Sequence, residues 1–155
     1  RFFLETLELD PRSADLVFSS MALHYLADFA RIVGTIHDAL VPGGDLVFSV
    51  EHPLFAVRAE PEWTTASDGS RAFVLTGYGV EGPRVTDWIA KGIVKHHRKI
   101  ATMLNTLTAA GFVYGAMDEW TPSAEQLAAH PDWTDELIRP TFLLMALKKP
   151  TGISH

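Results

Sequence analysis

The sequence predicts an α/β fold led by a parallel β-α-β unit. Three observations carry this expectation. Residues 15–20 and 46–50 are apolar runs of strand length, as strands buried on both faces of a sheet require. Between them Phe29, Ile32, Val33, Ile36 and Leu40 recur at helical spacing. Pro42, Gly43 and Gly44 then punctuate the passage into the second run.

The elements follow in chain order. The first strand, 15–20, ends in Ser19 and Ser20, small hydroxyl residues that suit a strand running into a loop. Asp28 stands where a side-chain oxygen can cap the helix that follows. The Pro-Gly-Gly corner is expected to end that helix, because Pro cannot continue the ladder and Gly accepts a left-handed turn. Residues 52–95 break the alternation. Pro53, Pro61, Pro83 and several glycines separate short strand-like pieces such as 73–75, so the stretch reads as a lid-like insertion. Ile100, Met103, Leu104 and Leu107 give a second amphipathic helix that closes at Gly111. Residues 112–117 read as a strand, 125–129 as a short helix and 142–147 as a last buried strand. Lys148 and Lys149 are expected in solvent at its end.

Composition narrows the function classes. A chain of 155 residues with 47% hydrophobic and 21% charged residues is an ordinary single globular domain. A formal net charge of −6 argues against nucleic acid as partner, and 91–99 is the single basic stretch. The chain has no cysteine, which excludes disulfides, thiolate metal sites and thiol nucleophiles and suits a cytoplasmic protein. No apolar run approaches the ~20 residues that span a bilayer, so no membrane partner is expected.

Residues 77–82 read Gly-Tyr-Gly-Val-Glu-Gly, the spelling of a dinucleotide-binding loop. The mechanism of that loop needs a helix beginning at the last glycine and an acid about 20 residues on. Pro83, Arg84, Val85 and Thr86 follow instead, and 95–107 holds no Asp or Glu. The stretch is expected to be a turn or hairpin. A nicotinamide-dependent oxidoreductase built on it is the weakest of the functional readings.

The segments around the insertion carry a resemblance. Residues 14–53, "ADLVFSSMALHYLADFARIVGTIHDALVPGGDLVFSVEHP", resemble the second half of class I S-adenosylmethionine-dependent methyltransferases of the type 11 kind. Residues 95–112, the pair Glu119-Trp120 and residues 139–149 resemble that family's final helix, sixth strand and antiparallel seventh strand. The resemblance implies a Rossmann-like methyltransferase fold, partial, with its later strands in the order 4-5-7-6 and 52–95 inserted as a lid. Residues 1–155 then form one partial domain. The family's acidic, glycine-rich donor loop has no counterpart here, so methyl transfer by these residues alone is doubtful. The implied cofactor is S-adenosyl-L-methionine and the implied acceptor a small molecule methylated at N or O.

The candidate site residues lie where an open α/β sheet binds ligands, beyond the carboxyl ends of its strands. The resemblance puts Ser19, Ser20, Met21 and Tyr25 beside the donor. It puts Leu4 and Glu5 near the adenine, where relatives have an acid and this chain has Phe3. His24 either lines the cleft or acts as a base, or is a loop histidine capping nearby carbonyls. Glu51 and His52 end the second strand, where a carboxylate or an imidazole can orient or deprotonate an acceptor. Adjacent residues on an extended chain point oppositely, so one of the two is expected to face the cleft. His97 and Arg98 are either substrate contacts or a solvated helix start, and the adjacent pair His96-His97 is too close in sequence to share a metal ion. Trp63, Trp88, Trp120, Trp133 and Tyr78 either shape an apolar pocket or pack the insertion onto the sheet. A partial sheet would leave the first strand without a neighbour, so a homodimer through that edge, or cover by another piece of the protein, is expected. The rival from another class is a non-catalytic scaffold or interaction domain.

Overall fold

The computed structural model describes residues 4–58, 60–87 and 90–152. Phe3 and Trp88 lie outside them. Strand β1 (Ala14–Ser20) leads through the 3-10 turn Leu23–Tyr25 to helix α1 (Phe29–Ala39) and strand β2 (Leu40–Glu51). Helix α2 (Pro53–Ala56) opens the insertion, which continues as strands β3 (Trp63–Thr65), β4 (Arg71–Phe73), β5 (Gly82–Thr86) and β6 (Ile93–His97). Helix α3 (Ile100–Ala109), strand β7 (Val113–Glu119), helix α4 (Ala124–Ala129), the 3-10 turn Pro131–Leu137 and strand β8 (Phe142–Lys148) complete the chain.

Four strands form the main sheet in the order β1-β2-β8-β7. β1 and β2 are parallel, whereas β8 runs antiparallel to both β2 and β7. The expected order 4-5-7-6 maps onto this arrangement strand for strand. β3-β4 and β5-β6 are two-stranded hairpins separate from the main sheet, and β6 runs to His97, past the expected boundary at 95. One face of the sheet, through Leu46, Phe48, Val50, Leu143, Met145 and Leu147, packs on Ile32, Val33 and Ile36 of α1 and Met103 and Leu107 of α3. The other face, and β1 as an edge strand, leave Leu16 57% and Phe18 67% exposed.

Asp28 caps α1 as expected, its Oδ1 accepting the Arg31 N–H at 2.9 Å. The Pro-Gly-Gly corner corrects the sequence reading. The helix ends at Ala39 and the corner lies inside β2 as a bulge, where the pairing skips from Ala14–Leu40 to Leu16–Asp45. The bulge needs both glycines. Gly43 has φ +86°, and a Cβ on Gly44 would stand 3.0 Å from the carbonyl oxygens of Asp15 and Val41. The helix terminus is closed by Lys149, whose Nζ donates to the carbonyls of His37 (2.7 Å) and Leu40 (2.8 Å). Lys149 is therefore a cap, and only Lys148 is the solvated strand end expected of both.

Smaller corrections follow from the same accounting. Residues 73–75 contribute only Phe73 to β4, and the expected strand at 112–117 starts one residue later because Phe112 turns into the core. His97 is fully buried on β6, which overturns the solvated-helix-start reading of 96–98. In the 77–82 stretch the Val80 N–H donates to Gly77 O at 2.9 Å, closing a turn, and Gly82 opens a strand. With no helix N-terminus there, a dinucleotide phosphate has no dipole or free N–H row to bind, and the nicotinamide reading loses its basis. Among the described residues no helix is long and apolar enough to cross a membrane.

Candidate active site

Because β1 and β2 are parallel, Ser20 and Glu51 end at the same edge of the sheet. Glu119, at the end of β7, lies on that edge too, since β7 and β2 each run antiparallel to the intervening β8. Two devices shape this edge. The backbone of Met21 takes the left-handed conformation, φ 51°, immediately after β1. Its N–H is tied to Ser49 O (3.0 Å) and Ser49 Oγ (3.2 Å). A non-glycine residue in this region stores roughly 1 kcal/mol or more, which a simple strand exit does not require. The second device is β6, which packs against the Leu23–Tyr25 turn and α2 and so brings the insertion onto the strand ends.

The central group is Glu51. It is 2% exposed, and its Oε1 accepts from Lys95 Nζ at 2.6 Å, a partner only 7% exposed. Its second oxygen, Oε2, is buried without a hydrogen-bond partner. Burial raises the carboxyl pKa against the opposing pull of the Lys95 hydrogen bond. His24 stands beside it. Its Nδ1 accepts the Glu51 backbone N–H at 3.4 Å, and its Nε2 is buried without a partner. Burial, with help from Lys95 and Arg98, pushes the imidazole pKa down to about 4, so the ring is neutral near pH 7. With Nδ1 accepting, the single ring proton sits on Nε2. The Tyr25 ring lies tilted at 44° against His24 with centroids 4.2 Å apart, and its phenol pKa is raised by burial and by the Glu51 charge. A cavity of about 10 Å³, room for one water, is lined by His24, Glu51, His96, Arg98, Phe29 and Met103 among others.

The remaining predicted residues have other partners. His52 caps α2, its Nδ1 accepting the Leu54 N–H at 3.0 Å, which leaves Nε2–H to donate to Glu119 Oε1 at 2.7 Å. Both its nitrogens are committed, and it clamps β2 to β7 across β8. His97 donates from Nε2 to Tyr78 O at 2.9 Å; its Nδ1 is buried and unpartnered, and burial lowers its pKa. Arg98 lies 5.2 Å over the Phe29 ring and donates to the carbonyls of Leu26 and Ala27, so it clamps the turn that carries His24. Glu5 Oε1 accepts the Ala27 N–H at 3.4 Å, and Arg31 holds the same N-terminal turn through the Leu4 carbonyl at 3.0 Å. Ser20 is exposed and Ser19 half-buried at the strand end. Among the aromatics, Trp63 meets Phe73 edge-on at 5.4 Å and also faces the Arg139 guanidinium at 5.4 Å, and Trp120 packs against Trp133 at 5.7 Å. Among the described residues no cluster of three or more His, Asp or Glu side chains could hold a metal ion.

Lys95 is the residue that sequence reasoning missed. It was legible only as part of a basic stretch and as the first residue of the segment resembling the final helix, but alternation along β6 puts Ile93, Lys95 and His97 on one face, and two of these three are buried. Arg31 carried no signal beyond its charge, and Glu119 was legible only as part of the Glu119-Trp120 pair of the resemblance.

Comparison with known proteins agrees with this geometry. A family model described as a methyltransferase domain matches residues 3–48. An S-adenosylmethionine dependent methyltransferase from Mesorhizobium loti superposes with a TM-score of 0.89 at 47% identity, over 96% of this chain and 68% of its own. A Listeria monocytogenes protein provisionally assigned to the same class gives 0.83 at 32% identity, over 94% and 66%. An uncharacterized protein from Haemophilus influenzae is 34% identical over 148 residues, and the chain spans 56% of its length. On its sequence, its strand order and these likenesses, the chain belongs to the S-adenosylmethionine-dependent methyltransferases.

Proposed function

We propose that these residues form the acceptor side of an enzyme that methylates a small molecule at N or O, with Glu51 as proton acceptor. The observation that carries this reading is the pair of unpartnered buried atoms, His24 Nε2 and Glu51 Oε2, on residues that line one cavity at the strand ends. One is a donor and the other an acceptor, so together they match a hydroxyl or amine that must be oriented and then lose a proton. The buried carboxylate is a stronger base than an exposed one, and such a base adds ~10²–10⁴-fold to a transfer. His24, with its proton already on Nε2 and little basicity, serves as a donor rather than the base.

S-adenosylmethionine, when bound, supplies an electrophilic methyl group on a sulfonium. The residues present fit one side of it. The turn at Met21 leaves Ser20 and the adjacent backbone open at the strand end, beside the His24 segment. Nothing in these 155 residues matches the acidic glycine-rich turn of the resembled family. The protein's remaining work is to hold donor and acceptor in line, worth at most ~7–11 kcal/mol.

The test uses the full-length protein, S-adenosylhomocysteine calorimetry and a methyl-labelled donor offered with a pool of small amines, phenols and acids. Binding of S-adenosylhomocysteine and transfer of label are expected, with transfer reduced about 100-fold in Glu51→Gln. Neither binding nor transfer would leave the non-catalytic scaffold as the reading. The exposed β1 edge, with Leu16 and Phe18, favours pairing with a second copy or with further sequence of the same protein, and light scattering in solution distinguishes them.

A further inference from the structure

A second cavity, of about 390 Å³, lies under the insertion and is lined by Phe55, Arg58, Lys95 and Arg139, with Glu60 and Asp87 exposed at its surface side. Arg139 sets it apart. The residue is 8% exposed, yet among the described residues no carboxylate pairs with its guanidinium and its Nε has no hydrogen-bond partner. The guanidinium carbon instead lies 4.5 Å from the ring centre of Phe55, 5.3 Å from that of Phe73 and 5.4 Å from that of Trp63. The two carboxylates whose charge reaches it are taken. Asp135 pairs with Arg71 at 3.0 Å, and Glu136 accepts the N–H and hydroxyl of Thr141 at 2.7 and 2.6 Å.

Charge bookkeeping makes this costly. Lys95 Nζ lies 5.5 Å from the same Phe55 ring, so two buried cations flank one aromatic side chain. Glu51 answers the charge of Lys95 alone. Aromatic faces offset only part of the cost of desolvating a guanidinium. Arg58, also on the wall, is already satisfied by Glu62 at 2.7 Å and by Thr76 at 3.0 Å. Among the described residues the Arg139 guanidinium is thus left without an ion pair, on the wall of a cavity large enough for a small organic molecule, with the exposed carboxylates Glu60 and Asp87 also on its lining.

We propose that this cavity binds an anionic group, carboxylate or phosphate, of the methyl acceptor, held by Arg139 against the Phe55 ring. This rests on the methyltransferase reading for the word acceptor, but the anion site does not need it. The Glu51–Lys95 pair joins the two cavities, since Glu51 lines the small one and Lys95 the large one. An acceptor anchored at Arg139 therefore extends toward the proton-accepting carboxylate. The forked guanidinium matches the planar carboxylate or the phosphate oxygens, and Phe55 and Pro61 supply apolar wall for the rest of the molecule.

The test is calorimetry of the full-length protein with benzoate, phenyl phosphate and neutral benzamide, followed by the Arg139 Nε–H resonance. Saturable binding of benzoate or phenyl phosphate is expected, with benzamide weaker by about tenfold or more. The Nε–H resonance should shift with the bound anion. Whichever anion binds more tightly names the source. Arg139→Met should lose about tenfold or more in anion affinity. Arg139→Lys should retain part of it, and S-adenosylhomocysteine affinity should stay within about twofold. Absence of binding by both anions, equal binding of benzamide, or an unmoved Nε–H resonance would overturn the proposal, even if Arg139→Met does not fold. Failure of S-adenosylhomocysteine to bind while benzoate still binds would count against the methyltransferase reading alone.

Discussion

The two ends of the main sheet solve the same problem in opposite ways. At the Pro-Gly-Gly end the polar groups are matched. Lys149 Nζ closes the carboxyl end of α1, the Gly43 N–H and the Gly44 carbonyl exchange 2.8 Å bonds with the Lys149 backbone, and Lys148 pairs with Asp45 at 2.8 Å. At the Glu51 end, at the end of β6 and just before β8, buried polar atoms are left over: His24 Nε2, Glu51 Oε2, His97 Nδ1 and Arg139 Nε. Buried polar groups in folded proteins are nearly always bonded, and these exceptions are what the proposed acceptor site rests on. One end of the sheet is finished by the chain itself, whereas the other leaves polar atoms for water or a ligand to complete.

Substitutions sharpen this contrast, beginning with the largest effect. Lys95→Met strands the buried Glu51 charge and should cost about 3–5 kcal/mol in urea unfolding. Adding Glu51→Gln should recover much of that stability but no methyl transfer, which separates the fold's need for the pair from the reaction's. Loss of stability that the double variant does not recover would show that Lys95 acts through packing instead.

The pH dependence of stability should come next in size. The His24 pKa falls from 6.5 to about 4 on folding, so the unfolded chain binds the proton first as pH drops. Stability from this residue is full above pH 6.5, declines below it and levels off near pH 4. The total is about 3 kcal/mol, since each pKa unit is worth about 1.4. His24→Asn should flatten that part of the curve.

The finished end should respond without touching the site. Lys149→Met keeps the aliphatic stem and removes two hydrogen bonds to the end of α1, at about 2 kcal/mol, with S-adenosylhomocysteine affinity unchanged. Asp28→Ala removes the amino-terminal cap of the same helix and should cost about 1 kcal/mol by thermal unfolding. A change in donor affinity from either variant would break the separation between the two ends.

The sheet was legible because its signals are local. The apolar runs, the helical stripe from Phe29 to Ile36 and the Asp28 cap each act within a few residues, and the structure forms both strands, the helix and the cap there, although β1 is an edge strand with Leu16 and Phe18 exposed rather than buried on both faces. The Pro-Gly-Gly corner was read as a helix stop, although the stop is made by Lys149, more than a hundred residues away in sequence. The site was legible only in part for the same reason. The resemblance located His24 and Glu51 at the strand end, but their electrostatics are set by Lys95, which arrives from the insertion. Arg139 opens the segment that resembles the family's last strand, but nothing in that resemblance gave it a role. Its meaning comes from three aromatic rings on α2, β3 and β4 that only the folded chain assembles around it.

The most direct test is the amide spectrum of the full-length protein titrated with S-adenosylhomocysteine. The account predicts that the amides of Met21, His24, Tyr25 and Glu51 shift together, while those of Gly43, Gly44 and Lys149 stay in place. Shifts centred on the Pro-Gly-Gly end, or none at saturation, would contradict it.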